Sequence, residues 1–491
     1  MGRSPHCRRD RCRSGPLCQR ASIQGGHLMA LLDELASLLG DDLLLDDEAR
    51  HSRARDTWPR SEFDQWQGQL VLPAAVAAPS STGQLAATVQ LCRSHGMPMI
   101  PRGAGSGCVG GVLASPHSVV ISTERLSGLA WLDSVDGLAA FGAGTMGIAA
   151  ENRVRQDGFT IGHWPQSIEI SSVGGWVATR ASGQYSTAYG NIEDVVYAVE
   201  AVLPDGSIYR SRPTPRASAG PDLRELLLGS EGTLGIVTEV TFSLRPLPEP
   251  GVRQAFHFED MSAGIDAVRS VIVPGWRPPV VRLYDAGESR RHFRDHLPKG
   301  RCMAIFLHEG PPGHAALEAA AVAELCQAGG GEPADPGVVD HWFEHRNTVP
   351  TWTALFEQGL VADTIEVATG WRHLAQLYEA VIEAISAVPT VIAATAHTSH
   401  AYQSGANLYF TFAAQPSDPD QYQSVYDACW AAAMQAATDC GAGISHHHGI
   451  GRVRRPWMAD ELGDAGGKVL RAVKAALDPD NLMNPGVLIP D

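Results

Sequence analysis

The chain has 491 residues, of which 44% are hydrophobic and 19% charged, and its formal net charge is −16. This size and composition predict a folded protein of two or three domains and exclude a largely disordered chain. The negative charge excludes a sequence-independent nucleic-acid binder, and no apolar run approaches the ~18 residues of a membrane helix.

The cysteines and the first residues bear on the cellular compartment. Nine cysteines are spread thinly without a C-x-x-C pair, which excludes a cysteine-based zinc framework and a disulfide scaffold. The Arg-rich stretch 1–28 lacks the apolar core of a secretory signal, and a clear helical pattern begins only at Met29. We predict a cytoplasmic protein in which residues 1–28 are a disordered extension or precede the true start of translation.

The pattern in the first half alternates strands with helices from about 71 to 145. Ser80 and Ser81 can cap a helix over 82–95, which Gly96 closes. The further elements predicted in this half are strands at 98–101 and 118–122, a helix at 146–157, a hairpin over 195–210 and a strand within 232–246. The prolines at 246, 248 and 250 then mark a domain boundary.

The second half differs from the glycine-rich first half in its sequence pattern. Over about 251–444 this pattern predicts an α+β domain of ferredoxin-like type. The predicted helices lie near 261–272, 313–328, 371–387 and 418–440, and the predicted strands near 303–308, 390–396 and 407–413. The final segment contains three consecutive histidines and a predicted helix over 467–477.

Residues 162–194 read GHWPQSIEISSVGGWVATRASGQYSTAYGNIED and combine paired glycines, small hydroxyl residues and an isolated Trp176. Such a run predicts a poor helix and only short strands. A chain that gives up regular structure in its middle typically wraps its backbone around a bound group. We therefore expect this run to line a ligand.

A second glycine-rich stretch, PRGAGSGCVGG at 101–111, follows a predicted strand and contains the pattern G-x-G-x-x-G. In a dinucleotide-binding βαβ unit these glycines open a helix, but Gly111 and Pro116 leave no room for one. Consecutive small residues still let backbone N–H groups converge on a phosphate. A plain surface loop is the alternative interpretation.

Four segments occur in a characteristic order: PRGAGSGCVGG, GHWPQSIEISSVGGWVATRASGQYSTAYGNIEDVV, GPDLRELLLGSEGTLGIVTEVTFSLRP and SHHHGIGRVRRPW. Together they resemble the flavin-dependent vanillyl-alcohol oxidase/p-cresol methylhydroxylase (PCMH) superfamily, and most closely its alkyl-dihydroxyacetonephosphate (alkylglycerone-phosphate) synthase branch. The resemblance covers about 70–491. It implies an α+β fold with a two-subdomain PCMH-type FAD-binding domain (29–250), an α+β cap domain (251–444) and a C-terminal segment (445–491) that returns to the FAD domain.

The resemblance also implies the residues that bind FAD. The pyrophosphate would lie on Arg102, Gly103, Ala104, Gly105, Ser106 and Gly107. The flavin would be lined by Gly144, Ser167, Ser172, Val173, Gly174, Gly175, Thr179 and Ser182, and the adenine side by Gly232 and Ile236. Members with covalent flavin have a histidine in this loop where the present chain has Ser106, so we predict non-covalent FAD.

The positions that match the branch's catalytic residues are His163, Tyr402 and the run His446, His447, His448. Without the resemblance, the sequence favours a packed core histidine for His163 and a half-buried aromatic with a satisfied hydroxyl for Tyr402. On an extended segment His446 and His448 would point together and His447 away. That arrangement suits at most two metal ligands, and we predict no metal.

The chain departs from the branch at three positions. Trp352 and His397 stand where the synthase has arginines, and Gln166 replaces an aspartate. Two bidentate phosphate contacts are thereby lost. We place Arg452, ahead of Arg454, and His397 among the substrate-binding residues.

The resemblance implies redox-neutral alkyl transfer through a flavin N5 adduct, as in ether-lipid synthesis. An FAD-linked oxidoreductase of a 2-hydroxy acid is the alternative, because AAPSSTGQLAATVQLCRSHGMPMIPRGAGSG resembles that related branch equally well. A catalytically silent flavin- or metal-binding protein of the same fold is a third possibility. For all three we expect a small-molecule partner, no nucleic acid and no transmembrane segment. Peripheral contact with a membrane and a homodimer are left open.

Overall fold

The computed structural model describes residues 16–249, 251–348 and 351–490. The predicted extension 1–28 lies largely outside them, and its described end belongs to helix α1 (Pro16–Leu39). Leu31 and Leu35 of α1 are fully buried against the first sheet. In the described part of the chain, no helix is long and apolar enough to cross a membrane.

The first subdomain is a small sheet whose central strands are parallel. Its strands, in spatial order, are β1 (Leu43–Leu44), β2 (Ala75–Ala77), β4 (Val119–Ser122) and β3 (Met99–Arg102). Its helices are α2 (Asp47–Arg53), α3 (Pro59–Trp66) and α4 (Thr82–Ser94). The Ser81 hydroxyl caps α4 by accepting the Gln84 N–H at 3.2 Å, as predicted. The glycine loop leaves β3 at the carboxyl edge of the parallel strands, where such sheets bind ligands.

The second subdomain is an antiparallel sheet of five strands. In spatial order they are β5 (Leu129–Asp133), β6 (Leu138–Gly142), β10 (Ile236–Ser243), β8 (Val196–Val202) and β9 (Ile208–Arg210). The remaining elements are α5 (Gly147–Arg155), the strand pair β7 (Phe159–Thr160) and β11 (Arg245–Pro246), and the helices α6 (Val173–Thr179), α7 (Ser186–Tyr189) and α8 (Ile192–Val195).

The prediction of only short strands within 162–194 was wrong, because this run forms α6, α7 and α8. Tertiary contacts explain the helix α6 despite its weak propensity. The buried Trp176 indole donates a hydrogen bond to the Ser171 hydroxyl at 2.8 Å. A Cβ on Gly174 would lie 2.6 Å from the Ala143 Cβ, so glycine lets α6 press directly onto the chain that follows β6.

The cap domain is an antiparallel sheet of eight strands with helices packed on it. The main path runs through β15 (Glu332–Ala334), β12 (Val252–Phe258), β14 (Cys302–His308), β13 (Val280–Tyr284), β17 (Val391–Thr398), β19 (Gly405–Ala414) and β16 (Val361–Gly370), and β18 (Ala401–Tyr402) pairs with β19. The helices are α9 (Met261–Ile272), α10 (Ala286–Phe293), α11 (His314–Ala328), α12 (Gly337–His345), α13 (Trp352–Glu357), α14 (Trp371–Ser386) and α15 (Tyr422–Asp439).

The C-terminal segment runs back across both subdomains. Its helix α16 (Met458–Leu477) begins nine residues before the predicted 467 and bends at Gly463, whose φ is +60°. Lys474 donates to the Thr233 carbonyl at 2.9 Å, and the Met99 N–H donates to the Leu482 carbonyl at 2.7 Å. The α+β architecture predicted from the sequence is confirmed.

Candidate active site

The glycine loop after β3 borders a cavity of about 500 Å³, a size typical of ligand pockets. Arg102, Ala104, Gly105 and Ser106 line it. The Ser172 hydroxyl, just before α6, accepts the Ala104 N–H at 3.3 Å, and a side chain at Gly103 would clash with this hydroxyl. The loop and the central run therefore meet at one edge of the cavity.

The other residues predicted to bind the cofactor are distributed over both subdomains of the FAD domain. Gly144 lies so close to the Thr123 carbonyl that a Cβ would clash, and a Cβ on Gly232, at φ +72°, would lie 2.9 Å from Pro101. Thr179 donates to the Gly175 carbonyl at 2.9 Å, and Ser182 bonds to Asn191. Val173 and Ile236 are buried in the cores of the two subdomains, and Ser167 is half-buried. The small residues of the glycine loop beside the cavity can hold phosphates on their backbone N–H groups, whereas FAD contacts of the other residues stay a prediction.

His163 is buried, and its ring packs on Trp176 with centroids 4.8 Å apart. Burial lowers its pKa to about 3, so the imidazole is neutral. Within the described residues neither ring nitrogen has a hydrogen-bond partner. Unpaired buried polar atoms are costly, which is consistent with a bound group supplying the partner. The catalytic role of His163 stays a prediction.

Tyr402, His446 and His447 form a hydrogen-bonded chain between the cap sheet and the C-terminal segment. The Tyr402 Oη lies 2.6 Å from His446 Nε2, and His446 Nδ1 lies 2.8 Å from His447 Nδ1. The His400 ring stacks on that of His446, with centroids 4.8 Å apart, and lies tilted against that of His447, with centroids 5.0 Å apart. Its Nδ1 lies 2.6 Å from the Ser186 hydroxyl of α7. A proton can pass along this chain from phenol to imidazole.

Burial sets the protonation of these groups. It lowers the pKa of His446 to about 4 and holds the pKa values of His400 and His447 well below the usual value. It raises the pKa of Tyr402 to about 12, because the phenolate is desolvated. At neutral pH the cluster therefore offers three neutral imidazoles and a neutral phenol, which are able to accept or donate protons.

The structure overturns the expected alternation of the three histidines. His446 and His447 both face His400, whereas His448 turns to Glu366 of β16. The segment forms bends instead of an extended strand, so the period of two does not apply. The donor atoms of His400, His446 and His447 lie within 4.8 Å of one another, so the run supplies two of these three donors, as the predicted limit allows, but they are His446 and His447 instead of His446 and His448.

The buried carboxylate of Glu366 holds the histidine segment in place. Its Oε1 accepts the N–H groups of residues 446, 447 and 448 at 3.2, 3.0 and 2.7 Å. Its Oε2 pairs with the buried Arg454 and lies 2.8 Å from His448 Nδ1. Although burial opposes ionisation, Arg454 and His448 keep the pKa of Glu366 well below its usual value. Burial likewise opposes charge on His448, but Cys108 and Glu366 raise its pKa well above the usual value. His448 is therefore held in its cationic form beside Glu366, and the catalytic role predicted for it stays a prediction.

Glu231 lies in the loop before β10 of the second subdomain and binds the backbone of the residues that follow the histidines. Its two carboxylate oxygens accept the N–H groups of Ile450 at 2.6 Å and Gly451 at 2.7 Å. Burial raises the pKa of Glu231 to about 7. Together with Glu366, it fixes the histidine segment between the two domains.

Arg282 of β13 places a guanidinium beside the histidine cluster. It donates to His397 Nε2 at 2.8 Å, while His397 Nδ1 lies 2.7 Å from the Glu288 carboxylate. Both nitrogens of His397 are thus engaged, and burial lowers its pKa. Arg282 thus brings a cation into this network, whereas a substrate contact from His397 stays a prediction.

The other departures from the synthase branch connect the two domains. The Trp352 indole donates to the Thr57 carbonyl at 3.1 Å, and Gln166 donates to the Thr348 carbonyl at 2.7 Å.

The two arginines predicted as anion contacts lie in the C-terminal segment. Arg452 donates to the Pro485 carbonyl at 3.1 Å. Arg454 is fully buried against Glu366, whereas Arg452 is partly exposed, and the substrate contact predicted for Arg452 stays a prediction.

Sequence reasoning missed His400, Arg282, Glu366 and Glu231. His400 stands only two residues before Tyr402, so TSHAYQSG contained a usable signal. Arg282 and Glu366 come from strands far from the histidine run in sequence, and no local motif marks them.

Comparison with known proteins agrees with this architecture. Residues 73–212 match the FAD-binding domain model, and residues 247–488 match the C-terminal domain model of FAD-linked oxidases. The chain is 32% identical over 482 residues to an uncharacterized FAD-linked oxidoreductase, YgcU, of Escherichia coli K12, covering 94% of this chain and 98% of that protein. It is 30% identical over 460 residues to alkyldihydroxyacetonephosphate synthase of Caenorhabditis elegans, covering 85% and 76%. A solved alkyldihydroxyacetonephosphate synthase superposes with a TM-score of 0.77 at 25% identity, covering 93% and 84%.

The fold and the site together define a flavoenzyme in which an FAD-binding domain is joined to a cap domain, and Tyr402 of the cap sheet contacts His446 of the C-terminal segment. The chain belongs to the FAD-linked oxidase family, within the vanillyl-alcohol oxidase/p-cresol methylhydroxylase superfamily. Its cofactor is FAD.

Proposed function

We propose that the protein is an enzyme of the alkyldihydroxyacetonephosphate synthase type, which exchanges the acyl group of an anionic ester for an alkyl group without net oxidation. The observation that carries this proposal is the chain Tyr402–His446–His447 with His400 stacked on it. Such a reaction needs a base at the substrate carbon and a donor for the leaving carboxylate. Neutral imidazoles and a neutral phenol in contact can fill both roles.

Each group has a defined task in this proposal. Bound FAD supplies the electrophilic ring on which such alkyl transfer depends. His446 accepts the substrate proton, while Tyr402 gives its phenolic proton to the leaving carboxylate and is reprotonated by His446 through the 2.6 Å hydrogen bond. Arg282, seated on His397, orients the anionic end of the substrate and supplies a guanidinium where Trp352 and His397 do not. The cap excludes water from the chain of proton carriers.

A second candidate is an FAD-linked oxidoreductase of a 2-hydroxy acid. The specific observation in its favour is the presence of one cation, Arg282, near neutral imidazoles. A 2-hydroxy acid presents a carboxylate that a cation can bind, and its oxidation requires a base that accepts a proton while the flavin takes up hydride. Similarity over nearly the whole chain to a protein named as an FAD-linked oxidoreductase also supports this second candidate.

One spectroscopic experiment separates the two candidates. The purified protein is mixed anaerobically with acyl-dihydroxyacetonephosphate and a long-chain alcohol, and in parallel with a panel of 2-hydroxy acids. We expect alkyl product from the first mixture, with the oxidised flavin spectrum retained after turnover, and no bleaching in the panel. Bleaching by a 2-hydroxy acid without alkyl transfer would assign the second function instead.

The mode of FAD attachment has a test of its own. Because Ser106 occupies the loop position at which covalent relatives have a histidine, we expect acid precipitation to release the flavin into the supernatant. A yellow pellet after trichloroacetic acid treatment would contradict non-covalent binding. Heat denaturation serves as the control that release does not depend on acid chemistry.

A further inference from the structure

The last turns of α12 carry a group of metal-binding side chains that the proposed reaction does not use. The sequence HWFEH places His341 and His345 one helical turn apart, with Glu344 beside them. One donor atom from each of the three lies within 4.8 Å of the others. Glu344 and His345 are exposed and His341 is half-buried, so an ion can reach them.

The hydrogen bond of His345 prepares its ring to bind a metal. His345 Nδ1 lies 2.9 Å from the His341 carbonyl oxygen. A carbonyl only accepts, so Nδ1 carries the proton and the lone pair is on Nε2. Metal-binding histidines typically donate their second N–H to a backbone carbonyl in this way. The rings of His341 and His345 lie 4.4 Å apart, and the His296 ring lies 6.0 Å from that of His341.

We propose that His341, Glu344 and His345 form a site for a divalent transition-metal ion of the Zn²⁺ type on the surface of the cap domain. Two imidazole nitrogens and a carboxylate oxygen are a ligand set that Zn²⁺ accepts, with water or His296 completing four-coordination. Tetrahedral ligands at Zn²⁺ distances lie about 3.3 Å from one another. Rotation of exposed side chains closes the difference from the 4.8 Å separation.

The position of this site gives the ion a structural effect. Arg346, the next residue, donates to the Tyr185 hydroxyl at 2.6 Å and lies 4.4 Å from the Trp164 ring. Asn347 accepts from the Trp164 indole at 3.1 Å, and Gln184 donates to the Arg346 carbonyl at 3.1 Å. A cation at the carboxyl end of α12 also favours the helix dipole. Metal binding therefore stiffens the contact between the cap and the FAD domain.

Equilibrium dialysis of the FAD-loaded protein against Zn²⁺ tests the proposal. We expect the wild type to bind one more Zn²⁺ per chain than the His341→Gln/His345→Gln variant, and to show a Zn²⁺-dependent rise in melting temperature that the variant lacks. The exposed His373 of α14 provides a matched control, because His373→Gln should bind Zn²⁺ like the wild type. Equal FAD content and equal metal-free melting temperatures show that the variants are folded.

The experiment must also distinguish this site from the active-site cluster. Among the described residues, His400, His446 and His447 form the other group of three with compatible donors. We expect His400→Gln to retain the surface-bound Zn²⁺, and Co²⁺ added to the wild-type protein to give the visible absorption of a low-coordinate site that the double variant loses. Absence of Zn²⁺ binding to the wild type, or loss of Zn²⁺ only in His400→Gln, would overturn the proposal.

Discussion

Replacing Glu366 by glutamine should destabilise the protein by about 3–5 kcal/mol, the usual effect of removing one partner from a buried ion pair. The glutamine keeps the shape of the side chain but leaves the guanidinium of Arg454, which is 0% exposed, without its counter-charge. The same change removes the carboxylate that keeps His448 protonated. Denaturant unfolding of the FAD-loaded protein measures the loss, and steady-state kinetics measure the accompanying displacement of the histidine segment.

Asp363→Asn is a matched control on the same strand. Asp363 is also buried, but it is held by the Tyr426 hydroxyl at 2.7 Å and the Trp430 indole at 3.0 Å instead of a cation. Burial already raises its pKa to about 6, so loss of its charge should cost no more than about 1–2 kcal/mol. Equal stability losses in the two variants would refute a special role for the Glu366–Arg454 pair.

Replacing Tyr402 by phenylalanine should lower kcat/KM by about 10²–10⁴-fold while FAD remains bound. The substitution removes only the hydroxyl that contacts His446 at 2.6 Å and Asn191 at 3.2 Å. The proton chain then ends at the imidazole, and the leaving group loses its donor. Substrate turnover and the flavin-to-protein absorbance ratio are the two measurements.

Tyr409→Phe controls for loss of a buried phenol in the same sheet. The Tyr409 hydroxyl donates to Thr364 at 3.0 Å, away from the proton chain, and its ring packs against His447 and His448. We expect this variant to keep most of its activity. Wild-type turnover in Tyr402→Phe would remove Tyr402 from the mechanism.

Local sequence features predicted those parts of the molecule whose physics is local. Ser81 caps α4 because a hydroxyl before a helical pattern satisfies an otherwise free N–H group. The hairpin β8–β9 follows from Pro204-Asp205-Gly206, and the helix over 261–272 has the predicted bounds. The prediction for residues 162–194 failed because tertiary contacts outweighed local propensity. The packing of Trp176 and Gly174 stabilises α6 as a helix, although its composition disfavours one.

The sequence by itself determined the fold class and the cofactor, because glycine spacing and the order of the four segments are properties of the chain alone. It also singled out Tyr402 and the three histidines, whose catalytic roles stay predictions. Only the tertiary structure decided which of the histidines are neutral and which is charged. His446 and His447 meet His400 as neutral bases, whereas His448 is charged by Glu366, a residue about eighty positions earlier in the chain. The protonation state of each histidine depends on its burial and on the charges near it. Pairing between strands that are distant in sequence, such as β13 and β17, determines that burial and brings those charges into place. The same pairing delivers Arg282 to the site, which no local pattern could reveal.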